Sequence, residues 1–141
     1  MNRVITAITI TAISAILLAW APSTAYAGNG IEVDIDIKPG SDPNSINTRS
    51  MGLVPVAILS SAGFDATQVD VSTLTFNPGQ ASPKHNGHLE DVNNDELIDL
   101  VTHYVQKETG IQIGDTLACI SGETFAGQSI FGCDSIVTVP P

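Results

Sequence analysis

IEVDIDI, residues 31–37, alternates apolar and acidic side chains without a break. A period of two is the period of a β-strand; on a helix the same residues would scatter round the axis. The stretch therefore reads as a half-buried strand. Ile31, Val33, Ile35 and Ile37 face a core, and Glu32, Asp34 and Asp36 face water. KPGSDPNS (38–45) follows with two prolines and a glycine, which is turn chemistry throughout.

Working outward, the same signal recurs. LVPVAIL (53–59) is a short apolar run that belongs in a core. Pro55 lacks an N–H, which predicts an edge or a bulge at that point. FDATQVDVSTLTF (64–76) opens with a turn, or one helical turn capped by Asp65 or Asp70, and ends in a strand near Thr73–Phe76. NPGQASPKHNG (77–87) is a loop. LIDLVTHYV (97–105) is apolar on both faces, as a central strand would be. TLACIS (116–121), a strand near Ser129–Phe131 and SIVTVP (135–140) complete the set. Turn signals recur at roughly 8–12-residue spacing, and no helix is legible beyond residue 27. The predicted fold is all-β: an antiparallel two-sheet sandwich, immunoglobulin-like, with about seven short strands. The pattern leaves the strand order open.

The first 27 residues stand apart. Arg3 precedes an apolar stretch, Val4–Ala21, and Ala25-Tyr26-Ala27 offers the small residues a signal peptidase accepts. Cleavage after Ala27 is expected, which predicts a secreted or periplasmic chain; the alternative is an uncleaved membrane anchor. Residues 28–141 then form a single β-sandwich domain. All 15 acidic residues lie beyond residue 27, while Arg3 is one of only five basic residues in the chain. So acidic a surface disfavours nucleic acid and anionic membrane as partners and favours cations. Cys119 and Cys133 are the only cysteines. In an exported chain they predict a disulfide. Turn residues in the intervening ISGETFAGQSIFG place that cross-link near the base of a hairpin. Closing such a loop contributes about 3 kcal/mol in the chain-entropy account.

The chemistry-bearing segment is EDVNNDELIDL (90–100). Side-chain oxygens fall at Asp91, Asn93, Asp95 and Asp99, with the Leu97 carbonyl at the remaining alternate position. Alternate oxygen donors are what a loop needs to wrap Ca²⁺, which takes about 6–8 oxygens. A bound cation would also turn the repulsion among these carboxylates into attraction. The competing reading is a solvated Asx-rich turn. Asp99 argues against it, because it lies inside a strand signal, where a carboxylate needs something to neutralise it.

The segment resembles the D-x-[DN]-x-D-G-x-x-D calcium loops of FG-GAP, thrombospondin type 3 and dockerin repeats. It departs from them at Glu96, where the pattern has glycine for a left-handed turn. Over residues 31–140 the chain also resembles a β-domain common in bacterial secreted proteins. The matching features are VDIDIKPGSDPNSIN, VPVAIL, the acidic loop and the closing segment with GCDS. That resemblance implies export, a β fold and a bound ion, and no reaction.

His85, His88 and His103 raise a second chemistry. His88 and His103 flank the acidic loop, and with a carboxylate they would make a zinc site of a small hydrolase. Otherwise His88, Glu90 and His103 are supporting groups that orient the calcium loop. Tyr104 is the only Trp or Tyr beyond residue 27, which weakens an aromatic sugar platform, and no G-x-S-x-G elbow occurs. The sequence thus predicts an exported, non-catalytic calcium-binding module with a surface, envelope, matrix or adhesion role. The zinc hydrolase is one alternative. The other is an accessory subunit that meets another surface or secreted protein through a free edge at Ile31–Ile37.

Overall fold

The structure is a computed structural model that describes residues 30–140. The expected signal segment lies outside the described residues. The strands are β1 (Ile31–Glu32), β2 (Ile35–Ile37), β3 (Ser45–Asn47), β4 (Leu53–Ile58), β5 (Val69–Asn77), β6 (His88–Glu90), β7 (Asp99–Val105), β8 (Leu117–Thr124), β9 (Ser129–Ser135) and β10 (Val137–Val139). Short 3-10 turns occupy Ala66–Gln68 and Gln106–Glu108, the first capped by Asp65, whose side chain accepts from the Thr67 N–H. Two four-stranded sheets, ordered β1-β9-β8-β5 and β2-β4-β7-β6, form an immunoglobulin-like sandwich, and a parallel β3–β10 ribbon flanks them. Among the described residues no helix is long and apolar enough to cross a membrane.

IEVDIDI is two strands, not one. Val33 N donates to the Phe131 carbonyl of one sheet at 2.9 Å, whereas the Asp34 carbonyl accepts from Leu59 N of the other at 2.9 Å. The chain changes sheets between these residues while keeping its alternation, with Val33, Ile35 and Ile37 buried. Such a crossing needs the backbones close together. A Cβ added at Gly132 would collide with the Val33 carbonyl oxygen, so β9 carries glycine there.

Pro55 corrects a second expectation. β4 lies between β2 and β7, inside its sheet. It tolerates proline because β2 ends at Ile37. The Pro55 carbonyl accepts from Lys38 N at 2.8 Å, and the Lys38 carbonyl is already taken by Ser41 N at 2.9 Å. No acceptor is left waiting for the missing N–H. The split of IEVDIDI into β1 and β2, together with the short strands β3 and β6, accounts for there being more strands than the apolar runs suggest.

The core joins the two sheets. Phe76 of β5 and Tyr104 of β7 meet across it with ring centroids 4.9 Å apart. Tyr104 is fully buried, which pushes its phenol up to about 12, and its hydroxyl accepts from Thr102 Oγ1 at 3.1 Å. Cys119 and Cys133 form the expected disulfide on a β8–β9 rung. The flanking Ala118 and Ile120 point into the core, so the bridge lies on the sheet's outer face.

Ile31–Ile37 is an edge of both sheets. Part of that edge is closed by Asp134 of β9, whose Oδ2 accepts from Ile37 N at 2.9 Å and from Asn44 Nδ2 at 2.8 Å. Burial, and next the Asp134 carboxylate, hold the Asp36 carboxyl above its ordinary range.

Gly132→Ala is expected to cost roughly 1–3 kcal/mol in chemical denaturation, as overpacking does, whereas Gly63→Ala, with nothing within 4 Å, stays near wild type. Asp36 supplies a pH test. Its raised folded value favours the fold below the ordinary carboxylate range, and that contribution is lost as pH rises through the folded value. Asp36→Asn should therefore raise the unfolding midpoint at neutral pH, with the gain shrinking on acidification. A gain that grows on acidification would contradict the assignment.

Candidate functional site

β6 and β7 pair antiparallel through Leu89–Leu100 and Glu90–Asp99, so the acidic segment is a hairpin connection. Its side chains accept its own backbone donors. Asp91 receives the Asp95 N–H on Oδ1 at 3.2 Å and the Glu96 N–H on Oδ2 at 3.0 Å. Asn93 Oδ1 also accepts from Asp95 N, at 3.2 Å, and Asn93 Nδ2 donates to Asp95 Oδ2 at 3.1 Å. Asp95 Oδ1 receives the Leu97 N–H at 2.9 Å. The loop is thereby wound around the Asp91 carboxylate. Winding it needs positive φ at Asn94 (59°) and at Glu96 (71°). Asn tolerates that region; for Glu it costs on the order of 1 kcal/mol.

Asp99 is different in kind. It is fully buried, with Oδ1 accepting from Ser60 N at 2.8 Å and Oδ2 from Val92 N at 3.0 Å. Two backbone N–H groups thus stabilise a carboxylate that the sequence alone left unexplained. Ser60 extends the link. Its Oγ donates to the Ile98 carbonyl at 2.6 Å and accepts from Ala66 N at 2.8 Å. Nothing in the linear pattern around Asp99 pointed to Ser60, which is distant in sequence.

Asp91, Asn93 and Asp95 therefore share one wound turn, Leu97 lies exposed at its end, and Asp99 sits at the base. Among the described residues no three His, Cys, Asp or Glu side chains are gathered as a ready metal cage. The donor chemistry still suits a hard cation. The donors are carboxylates, an amide and a carbonyl at alternate positions, and each Asp99 oxygen retains a lone pair beyond the one N–H it accepts.

A second cluster lies on the outer face of the β2-β4-β7-β6 sheet. The core-facing side chains of β7 include Leu100 and Tyr104, which leaves Val101 and His103 on the opposite face. His88 pairs with Val101, and His103 with Pro55. The His88 and His103 rings stack with centroids 5.7 Å apart at 26°. Glu90 Oε2 lies 3.2 Å from His88 Nε2. Burial first, then the His88 and His85 imidazoles, lower the His103 pKa. These groups border a shallow concavity of about 440 Å³, with Pro55 and Val101 among its lining and the Pro39–Gly40 turn and Asp91–Val92 at its sides. Spacing places His88 and His103 near the loop but does not reveal strand β6, whose three residues are too few to show a period.

No family model matches the chain, and no curated protein matches it. Among solved structures, a bacterial immunoglobulin-like domain from the M. primoryensis ice-binding adhesin is 18% identical, covering 78% of this chain and 98% of its own, with a TM-score of 0.43. AggA, the major subunit of aggregative adherence fimbriae type I from Escherichia coli, is 11% identical over 76% of this chain and 94% of its own, with a TM-score of 0.27. Likenesses of this size carry nothing about role.

Asp99→Ala would strand two N–H groups, one of them fully buried. The expected loss in denaturant unfolding is about 1–3 kcal/mol per stranded donor. Asp95→Ala, on the exposed turn, should cost a small fraction of that in the absence of added cation. Equal losses would remove Asp99 from its anchoring role.

Proposed function

We propose that this chain is an exported, non-catalytic β-sandwich module with a structural calcium ion in its 91–99 loop. It would act at a cell surface, in the envelope or in an extracellular matrix, adhesion included. Asp91, Asn93, Asp95 and Asp99 supply side-chain oxygens, Leu97 supplies its carbonyl, and water fills the shell. The observation that carries the reading is Glu96, held at φ 71° where glycine would rest without strain. The loop keeps the turn of a calcium-wrapping segment against the preference of the residue at its sharpest point. The ion would offset the repulsion of the exposed carboxylates and fix the connection that feeds β7.

Export is supported by the N-terminal sequence pattern and by the disulfide, which suits an oxidising compartment.

Added Ca²⁺ is expected to raise the thermal midpoint of the purified protein, and Mg²⁺ to raise it less. The stabilisation should follow RT ln(1 + [L]/Kd), with Kd in the weak extracellular range of about 10⁻⁴–10⁻³ M. Asp95→Ala should abolish the shift. A calcium response that survives Asp95→Ala, or no response in the wild type, overturns the site.

A further inference from the structure

The histidine-lined concavity carries chemistry that the calcium loop does not use. We propose that His88 and His103, on the outer face of the β6–β7 hairpin, bind a divalent transition-metal ion such as Zn²⁺, Cu²⁺ or Ni²⁺, with a ligand set distinct from that of the calcium loop, which borders the concavity at Asp91. Three observations converge.

The first is proximity without a competing role. The two rings stack at 5.7 Å on the sheet face turned away from the core, so neither imidazole serves the packing between the sheets. A shared ion would need one nitrogen of each ring turned toward it by rotation about the side-chain bonds. The second is the hydrogen bond between His88 and Glu90. With the proton on Nε2 facing Glu90 Oε2 at 3.2 Å, His88 Nδ1 keeps its lone pair. A carboxylate on the far nitrogen is how metal-binding histidines are commonly held in tautomer and orientation. The third is the cup itself. The Pro39–Gly40 turn and Asp91–Val92 rise beside Pro55 and Val101, giving partial shelter with room for an ion and its waters.

The donor type decides the class of ion. Imidazole nitrogen suits zinc, copper and nickel and is a poor ligand for calcium, which takes oxygen. Glu90 is here a positioning residue, and water completes the coordination. The acidic surface raises the local concentration of any dication.

The test titrates the purified protein with Zn²⁺ by calorimetry and follows the histidine ring resonances by NMR. One equivalent should bind, moving the His88 and His103 signals and leaving His85 nearly still. His88→Asn and His103→Asn should each weaken binding by at least the ~10–100-fold that loss of a supporting partner alone costs. Glu90→Gln should weaken it less and alter the His88 tautomer signal. Asp95→Ala should leave zinc binding unchanged, so failure of the calcium reading and failure of this one are separately visible. Absence of zinc, copper and nickel binding overturns the proposal. So does binding that persists in both histidine variants, or that is lost with Asp95→Ala. Circular dichroism of each variant without metal separates a lost site from a lost fold.

Discussion

Much of the hairpin end of this molecule hangs on one buried carboxylate. Asp99 begins β7 with its side chain directed to the outer face, and its two oxygens reach in different directions. One takes the N–H of Ser60, just beyond β4, and the other that of Val92, at the start of the acidic loop. A charge with no solvent exposure persists only when its surroundings solvate it, and here the backbone does so. The consequence is positional. The strand, the segment after its neighbour and the loop entering it are fixed to a common point, and Ser60 Oγ carries the link on to the 3-10 turn at Ala66.

The fold was largely legible because alternation is a local property. Val33, Ile35 and Ile37 face inward as their spacing demands, and the two-sheet sandwich follows from many such runs. The point at which IEVDIDI changes sheets was not legible. Both halves keep one period, and the switch depends on Gly132, nearly a hundred residues later. Pro55 misled for a related reason. Its place inside a sheet is allowed only because β2 stops one rung short, which is a fact about a neighbour.

The candidate site divides in the same way. Asp91, Asn93 and Asp95 could be picked from spacing, since their contacts all lie within a few residues. The need for a partner at Asp99 could be inferred, but Ser60 and Val92 could not be named. His88 and His103 could be placed near the loop. Their shared face and the cup around them depend on the β6–β7 register and on a turn at Pro39–Gly40 that comes from the other end of the sheet.

The parallel pairing of β1 with β9 has a mechanical meaning. The chain enters through β1 and leaves just after β9, through β10. Tension between the two ends therefore pulls these strands along their length in opposite directions. Their hydrogen bonds, including Val33 N to the Phe131 carbonyl, are loaded together in shear and not peeled one after another. β9 in turn cannot slide past β8, because the Cys119–Cys133 bond is a covalent rung between them. Stretched from its ends, the molecule would load two parallel seams, β1 on β9 and β10 on β3, while the disulfide-locked hairpin kept its length.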